Sequence, residues 1–231
     1  MNDPGSPPLT VIIPAYNERD TILETLKRVL AVPIVAEVIV VDDGSDDGTT
    51  DLLKSVTDCR VRVLYRGVRS GKGAAIRTAI PEARGKLVVI QDADMEYNPD
   101  QLPSLADPIL QERAQVVYGS RFRGRIQGMR WMNRLGNRLL TLAANILYGA
   151  RITDEATCYK MFRTELLQSL KLRCVRFEFC PEVTARLLRQ GIPILEVPID
   201  YVGRDHAAGK KIRWWDFVSA LWTLARYRVC G

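Results

Sequence analysis

Asp92-Ala93-Asp94 follows the apolar run Leu87-Val88-Val89-Ile90, and two carboxylates at that spacing can reach one hard divalent cation through oxygen ligands. Such a cation would neutralise a bound diphosphate, whereas the bare carboxylates would repel it. Two more polar clusters stand in the same setting. Pro14-Ala15-Tyr16-Asn17-Glu18 follows the apolar run at 9–13, and Asp42-Asp43-Gly44-Ser45 follows the run at 37–41. Each cluster alone is compatible with turn chemistry, because Asp, Asn, Gly and Ser are common loop residues. Their recurrence after successive apolar runs points to one shared site.

A second feature is charge. The chain carries 33 Lys and Arg against 27 Asp and Glu, a net +6, yet residues 113–153 hold eight arginines, no lysine and no acid. Arginine grips phosphate with a planar fork, so this segment suggests a phosphorylated or anionic partner. A solvated helix face is the plainer reading, and an anionic membrane surface stays open. Nucleic acid is not expected, since few aromatics interleave with the charges and no DNA- or RNA-binding motif is present.

The elements that must position these residues read as alternating strand and helix. Residues 9–13, 37–41, 61–65 and 87–90 are short runs rich in β-branched residues, and 115–118 makes a fifth. Between them, Ile22, Leu23, Leu26, Val29 and Leu30 share one helical face, as do Leu52, Leu53 and Val56, and a helix is expected around 102–112. That alternation predicts a parallel α/β sheet whose ligand sits at the carboxyl ends of the strands. With 231 residues, 47% of them hydrophobic and 26% charged, disordered and fibrous classes are excluded. The first eight residues lack signal-peptide features and read as a loose tail. The mostly apolar run at 139–150 is too short to span a bilayer. The five cysteines match neither a disulfide framework nor a zinc pattern, so reduced thiols in a cytoplasmic setting are expected.

Taken together, Val11 to Glu18, Val40-Val41-Asp42-Asp43-Gly44-Ser45, Gly71-Lys72-Gly73, Asp92-Ala93-Asp94 and Gly119-Ser120-Arg121 resemble the inverting family 2 glycosyltransferases of GT-A fold. Within that family the polyprenyl-phosphate, or dolichyl-phosphate, sugar synthases are most similar. The likeness runs from Leu9 to about Arg228 and includes Thr153-Asp154 and Gly209-Lys210-Lys211-Ile212. It implies one GT-A domain over 9–231, a Rossmann-like, mostly parallel sheet flanked by helices, with a nucleotide-sugar half near 9–120 and an acceptor half near 121–231. It also implies that Pro14, Ala15, Tyr16, Asn17, Glu18 and Asp43 hold the base and ribose of a GDP- or UDP-linked sugar, with Asp42 supporting them. Lys72 and Gly73 would approach the donor beside Ala93. Asp92 and Asp94, the latter central to catalysis, would bind Mg2+ or Mn2+. Glu96 replaces the family's usual Gln and reads either as a third metal ligand or as an exposed loop acid. Arg121, Arg134, Arg204 and Lys211 are then candidates for holding donor or acceptor phosphates. Asp154 falls where many GT-A enzymes place a base, and here it would either act as one or orient the acceptor or sugar.

The implied acceptor is polyprenyl phosphate on the cytoplasmic face of a membrane, reached as a peripheral protein or with a separate membrane-anchoring partner. A saccharide hydroxyl as acceptor, a nucleotidyltransferase and a noncatalytic peripheral membrane protein are the alternatives. The nucleotidyltransferase lacks its glycine-rich N-terminal signature, and the noncatalytic protein leaves the strand-end clusters unexplained. Residues 67–73 fall one residue short of a P-loop, and 71–76 lack the third glycine of a dinucleotide fingerprint. That loop reads instead as allowing close backbone approach and opening a helix whose free N–H groups favour an anion. His206 has no second histidine and reads as a loop residue. The stretch with Trp214, Trp215, Phe217, Leu221, Trp222 and Leu224 suits either burial against the sheet or a membrane interface.

Overall fold

The structure, a computed structural model, describes residues 9–203 and 214–230. The first half of the chain runs β1 (Leu9–Ala15), α1 (Ile22–Leu30), β2 (Val35–Asp42), α2 (Thr49–Lys54), β3 (Val61–Tyr65), α3 (Lys72–Ala79), β4 (Leu87–Ile90), α4 (Leu102–Leu110) and β5 (Val116–Ser120). There follow β6 (Ile126–Gln127), α5 (Trp131–Tyr148), β7 (Lys160–Arg163), α6 (Thr164–Ser169), α7 (Phe179–Arg189), β8 (Leu195–Pro198), β9 (Tyr201–Val202) and α8 (Trp214–Cys230). All five strands expected from the β-branched runs are present.

Seven strands form one sheet in the order β3-β2-β1-β4-β7-β5-β8, and β6 pairs with β9 separately. From β1 the chain builds outward through β2 and β3, then returns to place β4 on the other side of β1. Strand order therefore reverses between β1 and β4, where an open α/β sheet leaves a crevice at its carboxyl edge. The pairs of β1 with β2 and β4, of β2 with β3, and of β5 with β8 are parallel. The sheet is not wholly parallel, because β7 inserts between β4 and β5 and runs antiparallel to both.

Val11, Ile12 and Ile13 on β1 are fully buried, as is Ile90 on β4, and one apolar cluster extends from Leu9 to Tyr201. Burying each such side chain stabilises the fold by about 1.5–3 kcal/mol. One expected core position is corrected: Leu23 on α1 is 41% exposed, and Thr25 takes the inward position. Thr25 is tolerated there because its hydroxyl donates to the Ala93 carbonyl at 3.1 Å, which ties α1 to the loop after β4. A smaller cluster of Ala144, Ile152, Ala185 and Leu224 packs α5, α7 and α8 together.

Candidate active site

The crevice between β1 and β4 is walled by loops that hold one another. Asp42, at the end of β2, accepts from the backbone N–H and hydroxyl of Ser45 (3.0 and 2.6 Å) and from the Thr50 hydroxyl at 2.5 Å. Ser45 Oγ in turn accepts the Asn17 N–H at 3.0 Å, and Thr49 Oγ1 accepts that of Glu18 at 2.9 Å. Asn17 sits at φ +53, a left-handed conformation that Asn tolerates, and exchanges side-chain and backbone hydrogen bonds with Asp46 (2.7 and 3.0 Å). Asp42 thus braces Ser45, which in turn holds the Asn17 backbone. Pro14 and Ala15 complete β1, and the Ala15 carbonyl accepts the Asp43 N–H at 2.9 Å.

Asp43 is buried, and its carboxylate accepts the N–H groups of Ser70 (3.0 Å) and Gly71 (2.6 Å), with Arg66 at 3.5 Å. This folds residues 66–71 back over the second strand end and brings the Arg69 guanidinium 4.1 Å above the Tyr16 ring. An exposed guanidinium stacked on an aromatic ring makes a flat wall suited to a planar heterocycle.

At the start of α3 one expectation is corrected. The N–H groups of Gly73 and Ala74 are not available to an anion, because they donate to the carbonyls of Arg176 (2.7 Å) and Val175 (2.8 Å). The glycines do permit close backbone approach, but the partner is residues 174–176 of the same chain. A Cβ on Gly73 would lie 2.8 Å from the Arg176 oxygen, and one on Gly71, at φ +111, would lie 2.7 Å from that of Val175. Gly73→Ala is therefore expected to destabilise the fold by about 1–3 kcal/mol, as overpacking does, and thermal unfolding checks it.

Lys72 reaches Asp92 Oδ1 at 2.5 Å. Burial works against the lysine's charge, yet the facing carboxylate outweighs it and holds Lys72 above the ordinary lysine range. Beyond Asp92, Met95 adopts φ +61 and turns the chain so that the Glu96 N–H donates to Asp94 Oδ1 at 3.2 Å. The Glu96 carboxylate leans the other way and accepts from the Tyr201 hydroxyl at 2.6 Å. Among the described residues no three His, Cys, Asp or Glu side chains converge as a metal cage, and the Glu96 carboxylate is engaged by Tyr201. Asp92 and Asp94 fit Mg2+ or Mn2+, because such ions are commonly held by one or two carboxylates together with substrate phosphates.

After β5, Arg121 and Asp154 face each other. Arg121 donates through Nε and a terminal nitrogen to the two Asp154 oxygens (2.7 and 2.8 Å), and through its backbone N–H at 3.0 Å. Asp154 is fully buried and Arg121 is 5% exposed. The guanidinium also lies 5.3 Å from the Tyr201 ring, whose hydroxyl holds Glu96. A chain of contacts therefore links the buried pair to the loop carrying Asp94. Arg134 is exposed in the first turn of α5, while Arg204, His206 and Lys211 lie outside the described residues.

Two groups here escaped sequence reasoning. Glu196 on β8 accepts the N–H groups of Thr153 (2.8 Å) and Asp154 (3.0 Å) and the Thr153 hydroxyl (2.8 Å), clamping the turn that presents Asp154. Lys160 is completely buried, donates to the Glu155 carbonyl at 2.6 Å and lies 3.4 Å from the Tyr118 ring. Burial lowers its basicity and raises the carboxyl of buried Glu155, one of whose oxygens has no hydrogen-bond partner. A lysine within an apolar run was the available signal.

Residues 10–171 match the model of the family described as Glycosyl transferase family 2. The chain is 33% identical over 212 residues to undecaprenyl-phosphate mannosyltransferase of Micrococcus luteus, covering 86% of this chain and 85% of that one. It is 31% identical to polyprenol monophosphomannose synthase of Mycolicibacterium smegmatis, covering 87% and 79%. Among solved structures, glucosyl-3-phosphoglycerate synthase from Mycobacterium tuberculosis in complex with Mn2+ and UDP-glucose superposes with a TM-score of 0.72 at 22% identity, covering 97% of this chain and 79% of that one.

Proposed function

Because the chain belongs to glycosyl transferase family 2, we propose that it performs inverting transfer of a sugar from a nucleoside diphosphate sugar to polyprenyl phosphate at the cytoplasmic surface of a membrane. The observation that carries this reading is the meeting of three strand-end clusters at the β1/β4 crevice: the Tyr16–Arg69 wall, the Asp42-braced loop and the Asp92/Asp94 pair. The acceptor class follows from the two relatives, both named for mannosyl transfer to a polyprenyl carrier. GDP-mannose is accordingly the first donor to test, and UDP-hexoses form the second arm.

In this reading the nucleoside base stacks against Tyr16 and Arg69, bordered by Pro14 to Glu18, while Asp43 shapes that pocket by holding residues 66–71 in place. Asp92 and Asp94 are the residues that would hold Mg2+ or Mn2+, which when bound supplies positive charge to the departing diphosphate. Lys72, kept protonated by Asp92, adds a fixed charge on the same side. By analogy with a phosphate monoester, whose second pKa is about 6, the acceptor is already anionic near neutral pH. The site therefore has to orient a nucleophile more than deprotonate one. Attack from the face opposite the diphosphate inverts the anomeric carbon. Asp154, held by Arg121, orients the acceptor side, and Arg134, Arg204 and Lys211 are the candidates for gripping its phosphate.

A screen of radiolabelled GDP- and UDP-sugars with polyprenyl phosphate, scored for lipid-soluble product, tests the proposal. Transfer to a soluble saccharide with none to lipid phosphate would overturn the acceptor assignment. Glu196 gives a separate check. Glu196→Gln puts an NH2 group where an oxygen now accepts hydrogen bonds, so the turn bearing Asp154 loosens. The expected result is a fall in kcat of about tenfold or more with donor KM unchanged, since small displacements of positioning groups cost rate before affinity.

A further inference from the structure

α5 and α8 are packed together yet leave apolar stripes uncovered. On α5, Trp131, Met132, Leu135, Leu139, Leu142 and Ile146 are exposed, with Ile146 at 73% and Trp131 at 74%. Their spacing puts them on one face, opposite the buried Leu140, Thr141 and Ala144. The other exposed positions of this helix are Arg134 and Arg138. On α8, Trp215, Val218, Trp222 and Val229 are exposed at helical spacing, while Ala220 and Leu224 turn inward. The other exposed described positions there are Arg226 and Arg228. Among the described residues, the exposed side chains of both helices are thus large apolar groups and arginine. Their contact is made by other faces: Phe217 lies against Gly136, and the Tyr148 hydroxyl donates to the Leu224 carbonyl at 2.6 Å.

We infer that these two stripes form the face by which the protein lies on an anionic bilayer, with α5 in the plane of the interface and its apolar stripe below headgroup level. The identity of the lipid acceptor rests on the function proposed above; the docking face rests on these two helices. No helix among the described residues is long and apolar enough to cross a membrane, so a surface orientation is the one that buries the stripes in lipid. Charge selects this occupant over a second copy of the chain. Asp216, the single acid on either helix, is half-buried, so two copies meeting here would set arginines against arginines with no exposed carboxylate between them. Lipid phosphates supply the missing negative charge. Seven of the eight arginines at 113–153 are exposed, and only Arg121 is buried.

All four tryptophans of the chain, Trp131, Trp214, Trp215 and Trp222, belong to these helices, so intrinsic fluorescence reports directly on the face. With phosphatidylglycerol–phosphatidylethanolamine vesicles the full chain should co-sediment and its tryptophan emission should shift to the blue. Pure phosphatidylcholine vesicles should produce a much smaller effect. The triple variant Leu135→Gln, Leu142→Gln, Ile146→Gln alters only exposed positions. It should lower vesicle affinity at least about tenfold, and also at high salt, where attraction by the arginines is screened. Transfer to a detergent-dispersed short-chain acceptor should be unaffected. Unchanged vesicle binding in that variant, or no binding by the parent chain, would overturn the inference. So would a parent dimer that the substitutions convert to monomer without altering vesicle binding, which would assign the face to a second copy. Vesicle binding without transfer to any lipid phosphate would sink the acceptor assignment and leave the docking face standing; transfer without vesicle binding would do the reverse.

Discussion

Asp94→Asn is expected to lower sugar transfer by about 10²–10³-fold, the range found when a group stabilising developing negative charge is removed, while leaving the fold intact. The reason lies in where the charge sits. Asp94 follows β4 at the crevice edge and is half-exposed, so the substitution neither opens a cavity nor strands a buried ion. It removes one of the two carboxylates proposed above to hold the metal. Lys72 is already paired with Asp92, so that ion pair stays in place when the Asp94 charge is lost. The variant should unfold at the same temperature as the parent, and raising Mg2+ or Mn2+ should recover only part of the rate. Near-parental turnover at saturating metal would show that the diphosphate is neutralised elsewhere.

Most of the first half of the chain was readable because its strands are continuous β-branched runs and its polar residues fall at their ends. Val38 to Val41 are fully buried on a central strand, and a run with no polar face predicts that burial. The antiparallel β7 was not readable, since Lys160-Met161-Phe162-Arg163 begins with a lysine that only tertiary contacts with Glu155 and Tyr118 make tolerable. Nor could the sequence show that residues 174–176 would occupy the N–H groups at the start of α3, because that contact joins segments about a hundred positions apart. Nothing adjacent in the sequence marks Glu196, since its partners Thr153 and Asp154 lie more than forty positions away. For α5 the apolar run was visible, but period alone does not tell which apolar residues meet protein and which meet another medium.

The buried pair of Arg121 and Asp154 yields the largest expected effect on stability. Asp154→Asn preserves the side chain's shape and removes its charge, leaving a guanidinium that is 5% exposed without its counter-ion. Breaking such a pair from one side typically costs about 3–5 kcal/mol, which for a domain of this size lowers the melting temperature by roughly 6–20 °C. Transfer measured below that transition should also fall, and the metal concentration for half-maximal rate should rise. That last effect follows from the contacts running from Arg121 through the Tyr201 ring to Glu96 and the Asp94 loop. The double variant Arg121→Met, Asp154→Leu removes both charges, so it should regain much of the stability without regaining transfer, because apolar replacements of a buried pair are often tolerated. A base acting on the acceptor would leave a different signature. In that case Asp154→Asn would melt where the parent does, would need no more metal, and would lose kcat together with the acidic limb of the pH–rate profile.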